Sequence, residues 1–592
     1  MINQEIAKIF QNIALYFEMN DVPFKPPARG RGSSKIDTTR FRRQAYEKAA
    51  INLETLSEDI KDIYKKGDRE ALEEIPGVGK NIADKIIEYI KTGKIKEYEK
   101  LKKKTPVNIE ELISVEGIGP KGVKYLYKNL KIKNLKDLER AAKAGKIRNL
   151  PNFGEKKEQN ILEGIEFLKR SKGRFLLGEI LPKVEDIIER LKKLKEIEKI
   201  SEAGSVRRRK ETIGDVDILI TSPNPKKVVD YFVSMPGVVK IWGKGPTKAS
   251  VRLSDGFDVD LRVLPDRQFG SALQYFTGSK EHNISLRKIA INKGLKLSEY
   301  GLFKGARMIA GKTEKEIYKV LKMDYIEPEL RENTGEIESA VKKMLPNIIN
   351  YGDIKGDLHV HSNWDGGENS IEDLANEAIK MGYQYIGIAD HTKFLRIENG
   401  LNEKQLIRRN KEIDKINKKF QVSSFKFQVL KGCEANIMAD GSIDIDDKVL
   451  AQMDYVIAGV HSQMKMPKSQ MTERIINAMR NPNVDIISHP TGRILKKRDE
   501  YEIDFEKVLE VAKKTKTILE INASPARLDL KDIHIKKAKW AGVKMDINTD
   551  AHQKEHLRLM EYGISQARRG WAEKKDIINT WPLKKLIKAI KK

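Results

Sequence analysis

One cysteine, Cys433, stands in a chain of 592 residues. No intrachain disulfide can form, and so little cysteine fits a reducing interior. No apolar run approaches the roughly 18 residues that a membrane-spanning helix needs. The opening stretch MINQEIAKIFQNIALYFEMN reads as an amphipathic helix carrying acids, not as a signal peptide. A cytoplasmic protein is expected. Acidic residues are in deficit, with 86 Asp+Glu against 113 Lys+Arg and a formal net charge of +27. That surplus favours a polyanionic partner, although lysine-rich surfaces also occur in proteins of heat-loving organisms. Histidine is scarce as well: of nine, only His282 precedes residue 355.

What is present is ample for several folded cores. Hydrophobic residues make up 39% of a chain too long for one core, so three or four domains are expected. Residues 41–100 and 100–172 read as short helices separated by Gly-rich turns. Residues 173–265 alternate helix with β-branched strand runs, and 266–330 read as a small α+β unit. Residues 331–352 are polar and read as a linker. From Lys355 onward, seven aliphatic runs end in polar or metal-binding residues: GDLHVHS, YIGIADHT, VLKGCEAN, YVIAGVHS, VDIISHP, ILEINAS and VKMDINTDAH. Helical patterns fall between some of them, which predicts a barrel-like α/β domain with its chemistry at the strand C-termini. The stretch Phe24–Arg40 is rich in Pro, Gly, Ser and Arg and reads as a flexible basic loop.

Two segments share one plan. IPGVGKNIADKI (Ile75–Ile86) and VEGIGPKGVKYL (Val115–Leu126) each place a Gly-x-Gly turn before a helix. Gly77, Gly79, Gly117 and Gly119 let the backbone turn tightly, so that N–H groups at a helix start can hold a phosphate without any side chain. LPNFGEKKEQNIL (Leu150–Leu162) is a weaker third copy with only Gly154. These segments resemble helix-hairpin-helix motifs, which grip DNA backbones without reading sequence.

In GSVRRRKETIGDVDILI (Gly204–Ile220), Asp215 and Asp217 are two apart on a strand, so both side chains lie on one face. Two carboxylates repel unless a cation joins them, and Mg²⁺ commonly bridges carboxylates to phosphate. The later strand FDVDLRVL offers a third carboxylate, and spacing leaves Asp258 and Asp260 both open. The Gly204–Ser205 turn and the arginines beside it suit a nucleotide's phosphates.

GSVRRRKETIGDVDILI, FDVDLRVL and LQYFTGSKEHNISLR together resemble the palm and thumb of the family X (DNA polymerase beta-like) DNA polymerases. The resemblance spans most of residues 41–310. It implies Asp215, Asp217 and Asp260 as metal aspartates, the family's D-x-R pattern selecting Asp260 over Asp258. It implies triphosphate contacts from Ser205, Arg208 and the Gly214 backbone, with Gly204 in the same turn. Tyr275, Phe276 and Gly278 would line the sugar site, and Asn283 and Arg287 would face the minor groove. Lys85 falls where family members with lyase activity carry a Schiff-base lysine, and Arg42, Tyr46 and Lys48 match the helix lining that pocket. Such a lysine must lose its proton, which burial or cationic neighbours favour.

Six of the remaining histidines sit at the ends of predicted strands. With Glu434 and Asp550 they read as a metal cluster, and mixed imidazole and carboxylate ligands suit Zn²⁺, Mn²⁺ or Fe²⁺ better than Mg²⁺. DLHVHS, ADHT, CEAN, VHS, SHPTGR and NTDAH resemble the PHP (polymerase and histidinol phosphatase) domain over residues 353–592. That family has a distorted seven-stranded barrel with three metals. By motif the ligands are His359, His361, His391, Glu434, His461, His489, Asp550 and His552. Relatives often read W-S-D-G after H-x-H, whereas this chain reads Trp364-Asp365-Gly366-Gly367; Asp365 is included as a ligand. Arg493 is a candidate phosphate contact, and His534 and His556 read as surface residues.

The expectation is a multidomain chain: a lyase-type helix-hairpin-helix domain (1–100), a second such domain (101–172), an α+β nucleotidyltransferase palm (173–265), a thumb (266–330), a linker (331–352) and a distorted (β/α)7 PHP barrel (353–592). Its resemblances imply a repair polymerase that fills short gaps in base excision repair. It would use Mg²⁺ or Mn²⁺ in the palm and Mn²⁺ or Zn²⁺ in the barrel, the latter serving a 3′–5′ exonuclease or 3′-end phosphodiesterase. Gapped or primed duplex DNA and dNTPs are the implied partners of a monomer near the nucleoid. A template-independent nucleotidyltransferase and a DNA-end-binding protein with an inactive barrel are the alternatives.

Overall fold

Apolar residues of the first helix, α1 (Ile2–Asn20), recur at Ile6, Phe10, Ile13 and Phe17, one stripe of a 3.6-residue period. The stripe packs on α2 (Thr38–Thr55) through Tyr46, Ala49, Ala50 and Leu53. In the computed structural model the described residues are 2–20, 38–55, 59–75, 77–113, 115, 118–151, 153–170, 173–421 and 427–590. The basic loop read at 24–40 lies outside them up to residue 37, and its end, Thr38–Arg40, opens α2. Two compact units form, one over Met1–Lys172 with Lys496–Arg498 and one over Gly173–Leu495 with Asp499–Lys592. No described helix is long and apolar enough to cross a membrane.

The first unit is helical and repeats one hairpin three times. α3 (Lys80–Thr92) and α4 (Pro120–Leu130) are capped by Gly79 at φ −87, ψ 175 and Gly119 at φ −90, ψ 175. Before them the turn amides of Val78 and Ile118 donate to the carbonyls of Ile75 and Val115 at 2.9 and 3.1 Å. The third copy, ahead of α5 (Glu155–Arg170), makes the same bond from Phe153 to Leu150 at 2.9 Å, and Gly154 accepts from Glu158 at 3.0 Å. It shares these bonds with the other two, although only one glycine marks it. Gly117 lies outside the described residues.

The second unit begins with a five-stranded sheet: β1 (Lys199–Glu202), β2 (Val216–Thr221), β3 (Val238–Lys244), β4 (Lys248–Leu253) and β5 (Asp258–Leu264), ordered β1-β2-β5-β4-β3. Only β2 and β5 run parallel. Helices Leu177–Lys192 and Pro225–Val233 cover one face with Ile180, Val184, Leu191, Val229 and Phe232, leaving the other face to Asp217 and Asp260. A small three-stranded antiparallel sheet follows, flanked by helices Lys280–Asn292 and Glu314–Val320.

Residues 331–352 are not a linker. Arg331 is fully buried, donates to Glu314 at 2.6 Å and to the Ile326 carbonyl at 3.0 Å, and Glu336 binds His282 at 2.7 Å. Ile349 N donates to Ala572 O at 2.9 Å, tying this segment to the barrel. Its polar residues look solvated in sequence because their buried partners are distant along the chain.

The barrel strands are β6 (Gly356–Val360), β7 (Tyr385–Ile388), β8 (Gln428–Lys431), β9 (Glu434–Asn436), β10 (Ile457–Gly459), β11 (Ile486–Ile487), β12 (Ile518–Asn522) and β13 (Met545–Asn548). All neighbours pair in parallel. β8 and β9 are one run, VLKGCEAN, broken at Gly432–Cys433, which yields seven staves. A parallel bridge from Val360 to Ala551 closes the ring. Leu358, Tyr385, Leu430, Tyr455, Ile457, Ile486 and Ile518 pack in one cluster with the C-terminal helix Leu583–Ile590.

Candidate active sites

Parallel register puts Asp217 of β2 directly beside Asp260 of β5, and Asp215 immediately precedes β2. Burial first, then the charges of Asp215 and Asp260, pushes the Asp217 carboxyl up to about 7. Three carboxylates converge here, and their mutual repulsion is what a bound cation would relieve; this is the observation that fits metal. The same register resolves Asp258 from Asp260. Asp258 faces Arg252, whose Nε and Nη2 both donate to it at 2.8 Å, and Trp242 Nε1 adds a bond at 2.9 Å. Asp260 faces Ser250, whose hydroxyl donates to it.

Gly204 sits at φ +61, and a Cβ there would lie 2.9 Å from Asp217 Oδ2. Only glycine lets this turn pass so close to the carboxylates. Ser205 lies in the helical turn Gly204–Arg207 that follows, and Gly214 is the residue before Asp215. Arg208 Nε donates to Glu332 at 3.0 Å and Nη1 to the Thr277 carbonyl. Tyr275 and Phe276 meet edge to face at 5.2 Å, and the Arg262 guanidinium stacks 4.5 Å from the Phe276 ring centre. Asn283 is nearly buried, donating to the Tyr275 carbonyl at 2.7 Å and accepting from Gln274 at 2.8 Å. Arg287 reaches back to Asn283 O at 3.3 Å. His282, the early histidine, is a core residue between Glu336 and Tyr318.

In the first unit, Arg42 and Tyr46 both bind Glu97, the tyrosine at 2.7 Å. Lys85 Nζ lies 3.6 Å from Glu88 Oε2, so a carboxylate accompanies it. The Gly77 turn packs on Lys48, whose Cγ would lie 2.8 Å from a Cβ added there.

The barrel gathers the histidines at its strand ends. Glu434 stands at the centre. Its Oε2 is 2.8 Å from His391 Nδ1, 3.4 Å from His359 Nε2 and 3.8 Å from His361 Nε2. Its Oε1 is 3.0 Å from His489 Nε2 and 3.3 Å from His461 Nε2. Asp550 Oδ1 lies 3.3 Å from His361 Nε2, 3.7 Å from His359 Nε2 and 3.8 Å from His552 Nδ1. Burial opposes charge on Glu434, but His359, His461 and His391 hold its pKa well below the usual range. His359 Nε2, His361 Nε2, His391 Nδ1, His461 Nε2 and Glu434 Oε2 are buried without a hydrogen bond. Orphaned lone pairs aimed at a common space are what bound divalent cations would satisfy.

Groups behind these histidines fix their orientation. Glu520 takes His359 Nδ1 at 2.6 Å, and Asn436 takes His461 Nδ1 at 3.2 Å. Glu520 was missed in the sequence, although a charge inside the apolar run ILEIN is a signal that it has a buried partner. Asp365 belongs to this outer group as placed: its Oδ2 accepts from His361 Nδ1 at 2.7 Å and from the His391 amide at 2.8 Å. Being one residue early puts it behind His361. Burial disfavours charge on His361, yet Asp365 raises its pKa to about 10. Arg493 is spent on Glu211 at 2.6 Å and on the Leu528 carbonyl, not turned to the cluster. His534 stacks on Phe505 at 4.2 Å, so it is packed and not a surface residue. His556 joins Asp550, His552, Ser524, Pro525 and Gly178 around a cavity of about 450 Å³ beside the cluster. Arg527, missed earlier, stands 3.8 Å from Asp550 Oδ2.

Four family models match parts of the chain. A helix-hairpin-helix domain matches residues 1–95, a SAM-like helix-hairpin-helix tandem 109–166, a DNA polymerase beta thumb 272–332 and a PHP domain 357–524. The DNA polymerase/3′-5′ exonuclease PolX of Bacillus subtilis is 38% identical over 589 residues, covering 99% of this chain and 98% of its own. A probable phosphatase of Caldanaerobacter subterraneus is 34% identical over 207 residues, 33% of this chain and 75% of that protein. One from Thermoanaerobacter is 31% identical over 239 residues, 38% of this chain and 89% of that protein.

Proposed function

The chain belongs to the family X DNA polymerases that carry a C-terminal PHP domain, and from this we propose that it fills short gaps in DNA repair and trims 3′ ends in its barrel. The observation that carries the reading is the pairing of two separate ligand sets in one chain, the Asp215/Asp217/Asp260 group on the mixed sheet and the Glu434-centred group in the barrel.

In the palm, Asp215, Asp217 and Asp260 would hold Mg²⁺ or Mn²⁺. Bound there, such ions neutralise triphosphate charge and favour loss of the primer 3′-hydroxyl proton. The chain's own residues do the positioning. The Gly204–Ser205 turn brings backbone N–H groups close to the carboxylates, and Arg208 supplies a guanidinium for phosphate. Tyr275, Phe276 and Gly278 wall the sugar, with Arg262 bracing Phe276 from behind. Asn283 and Arg287 lie in sequence to follow the minor groove. Gly79, Gly119 and Gly154 place open helix N-termini against the DNA backbone, with Gly77 in the first of these turns.

In the barrel, His359, His361, His391, Glu434, His461, His489, Asp550 and His552 would hold Mn²⁺ or Zn²⁺. Glu520, Asp365 and Asn436 keep the ring nitrogens pointed inward. Arg527 stands where it can pair with the phosphate of a terminal nucleotide, whose base would enter the adjoining cavity.

A 5′-labelled primer on a one-nucleotide-gapped duplex with Mn²⁺ tests both activities. The expected result is extension by one residue with dNTPs and shortening without them. A primer untouched in both lanes would overturn the polymerase reading. Lys85 carries the narrower lyase part. As a Schiff-base nucleophile it gives a borohydride-trapped adduct with a 5′-deoxyribose phosphate end in the wild type and none in Lys85→Ala. No adduct in the wild type leaves Lys85 to the DNA backbone.

A further inference from the structure

One helix of the barrel reaches into the polymerase half of its unit. Met560–Arg569 follows the ligands Asp550 and His552 through the short turn Lys554–Leu559. Its last turn buries Gln566, Arg568 and Arg569. Arg568 is held by Glu329 at 2.7 Å, and Gln566 by Glu211 at 2.7 Å.

Arg569 makes the most consequential contacts. Its side chain is 1% exposed. Nη1 donates to the carbonyl of Arg208 at 2.9 Å and to Glu332 Oε1 at 3.0 Å, while Nη2 donates to Asp532 at 2.6 Å. The same Glu332 Oε1 accepts Arg208 Nε at 3.0 Å, and its Oε2 accepts Lys210 at 3.3 Å. Arg208 Nη1 is bound by the Thr277 carbonyl. A Cβ added at Gly278 would lie 3.1 Å from that Nη1, so the sugar-side turn also confines it. Backbone, Nε and Nη1 of Arg208 are thus fixed by the protein, while its Nη2 has no protein acceptor among the described residues.

We propose that Arg569 and Glu332 are positioning residues for the incoming nucleotide, through which the barrel preorganises Arg208. This rests on the reading of Arg208 as a triphosphate contact. A long cationic side chain that must be ordered on binding weakens affinity, and prior fixing removes that loss. Charge works the same way. Arg569 shares Glu332 with Arg208; without it the carboxylate has only Arg208 and Lys210 to draw on, and it competes with the triphosphate for Arg208. The effect belongs to nucleotide binding and leaves the barrel ligands untouched.

Single-nucleotide gap filling by the full chain tests this, with KM for dNTP and kcat measured separately. Arg569→Ala should raise KM at least tenfold with kcat within about threefold, and its 3′–5′ exonuclease rate should equal the wild type's. Arg569→Lys, which keeps the charge but cannot make all three bonds, should fall between and carries the test if the alanine variant does not fold. The double variant Arg208→Ala/Arg569→Ala should have the KM of Arg208→Ala alone, since the second change acts through the first. An unchanged KM in a folded Arg569 variant, or parallel losses in both activities, overturns the proposal. If Arg208→Ala itself leaves KM unchanged, the triphosphate reading has failed instead. If Arg208→Ala raises KM and the Arg569 variants do not, only the positioning role is lost.

Discussion

Asp217→Asn should lose nucleotide addition by about a hundred- to a thousandfold, the scale on which removing one charge-stabilising group acts in an active site. It should keep the 3′–5′ exonuclease. Asp217 is the carboxylate at the middle of the palm group, beside Asp260 in register and two residues after Asp215. Asparagine preserves its shape and its strand, so the change removes a charge and little else. Stability gives an independent check with a fixed sign. Burial and two neighbouring carboxylates raise the Asp217 pKa to about 7, so the folded metal-free chain holds that proton more tightly than the unfolded one. Its contribution to stability is full at low pH and is lost as pH rises toward 7. The Asn variant lacks this slope, and without metal at neutral pH it should melt no lower than the wild type. A folded variant that lost both activities would refute two independent centres.

The carboxylates of β5 show how far sequence can be read. Alternation puts Asp258 and Asp260 on one face, and both are two residues from a second acid or base. What separates them is pairing: Arg252 stands opposite Asp258, and Ser250 opposite Asp260. Strand register across a sheet depends on turns and packing, so it is not encoded in either strand alone. The histidine centre was more legible because its candidate ligands all fall at the ends of aliphatic runs, a pattern that survives without register. Its orienting groups were not, since Glu520 reaches His359 from a strand 161 residues later in the chain and a lone acid carries no spacing. The polar segment 331–352 failed for a related reason. Composition distinguishes charged from apolar residues, but it cannot distinguish a solvated arginine from Arg331, which is buried against Glu314. Arg493 and Arg569 are the same case. Both were visible as basic residues, and both are committed to carboxylates far along the chain.

Glu434→Gln should cripple 3′–5′ exonuclease activity, again by about a hundred- to a thousandfold, and leave gap filling intact. Asp550 Oδ1 faces His359, His361 and His552, whereas Glu434 turns Oε2 toward His359, His361 and His391 and Oε1 toward His461 and His489. It is the carboxylate that joins the two sides of the cluster. Glutamine would keep the shape, but its amide would set N–H donors or a weaker, uncharged oxygen against nitrogens that need a cation between them. Metal content therefore falls together with activity. After dialysis against a chelator, added Mn²⁺ should restore the wild type's exonuclease and bound-metal stoichiometry but not those of Glu434→Gln. Asp550→Asn is the comparison that gives the prediction its edge, because it removes charge from only one side of the cluster. It should lose fewer ions than Glu434→Gln. Equal losses would mean that the ions bind as one cooperative unit, and undiminished metal in Glu434→Gln would remove Glu434 from the centre of the site.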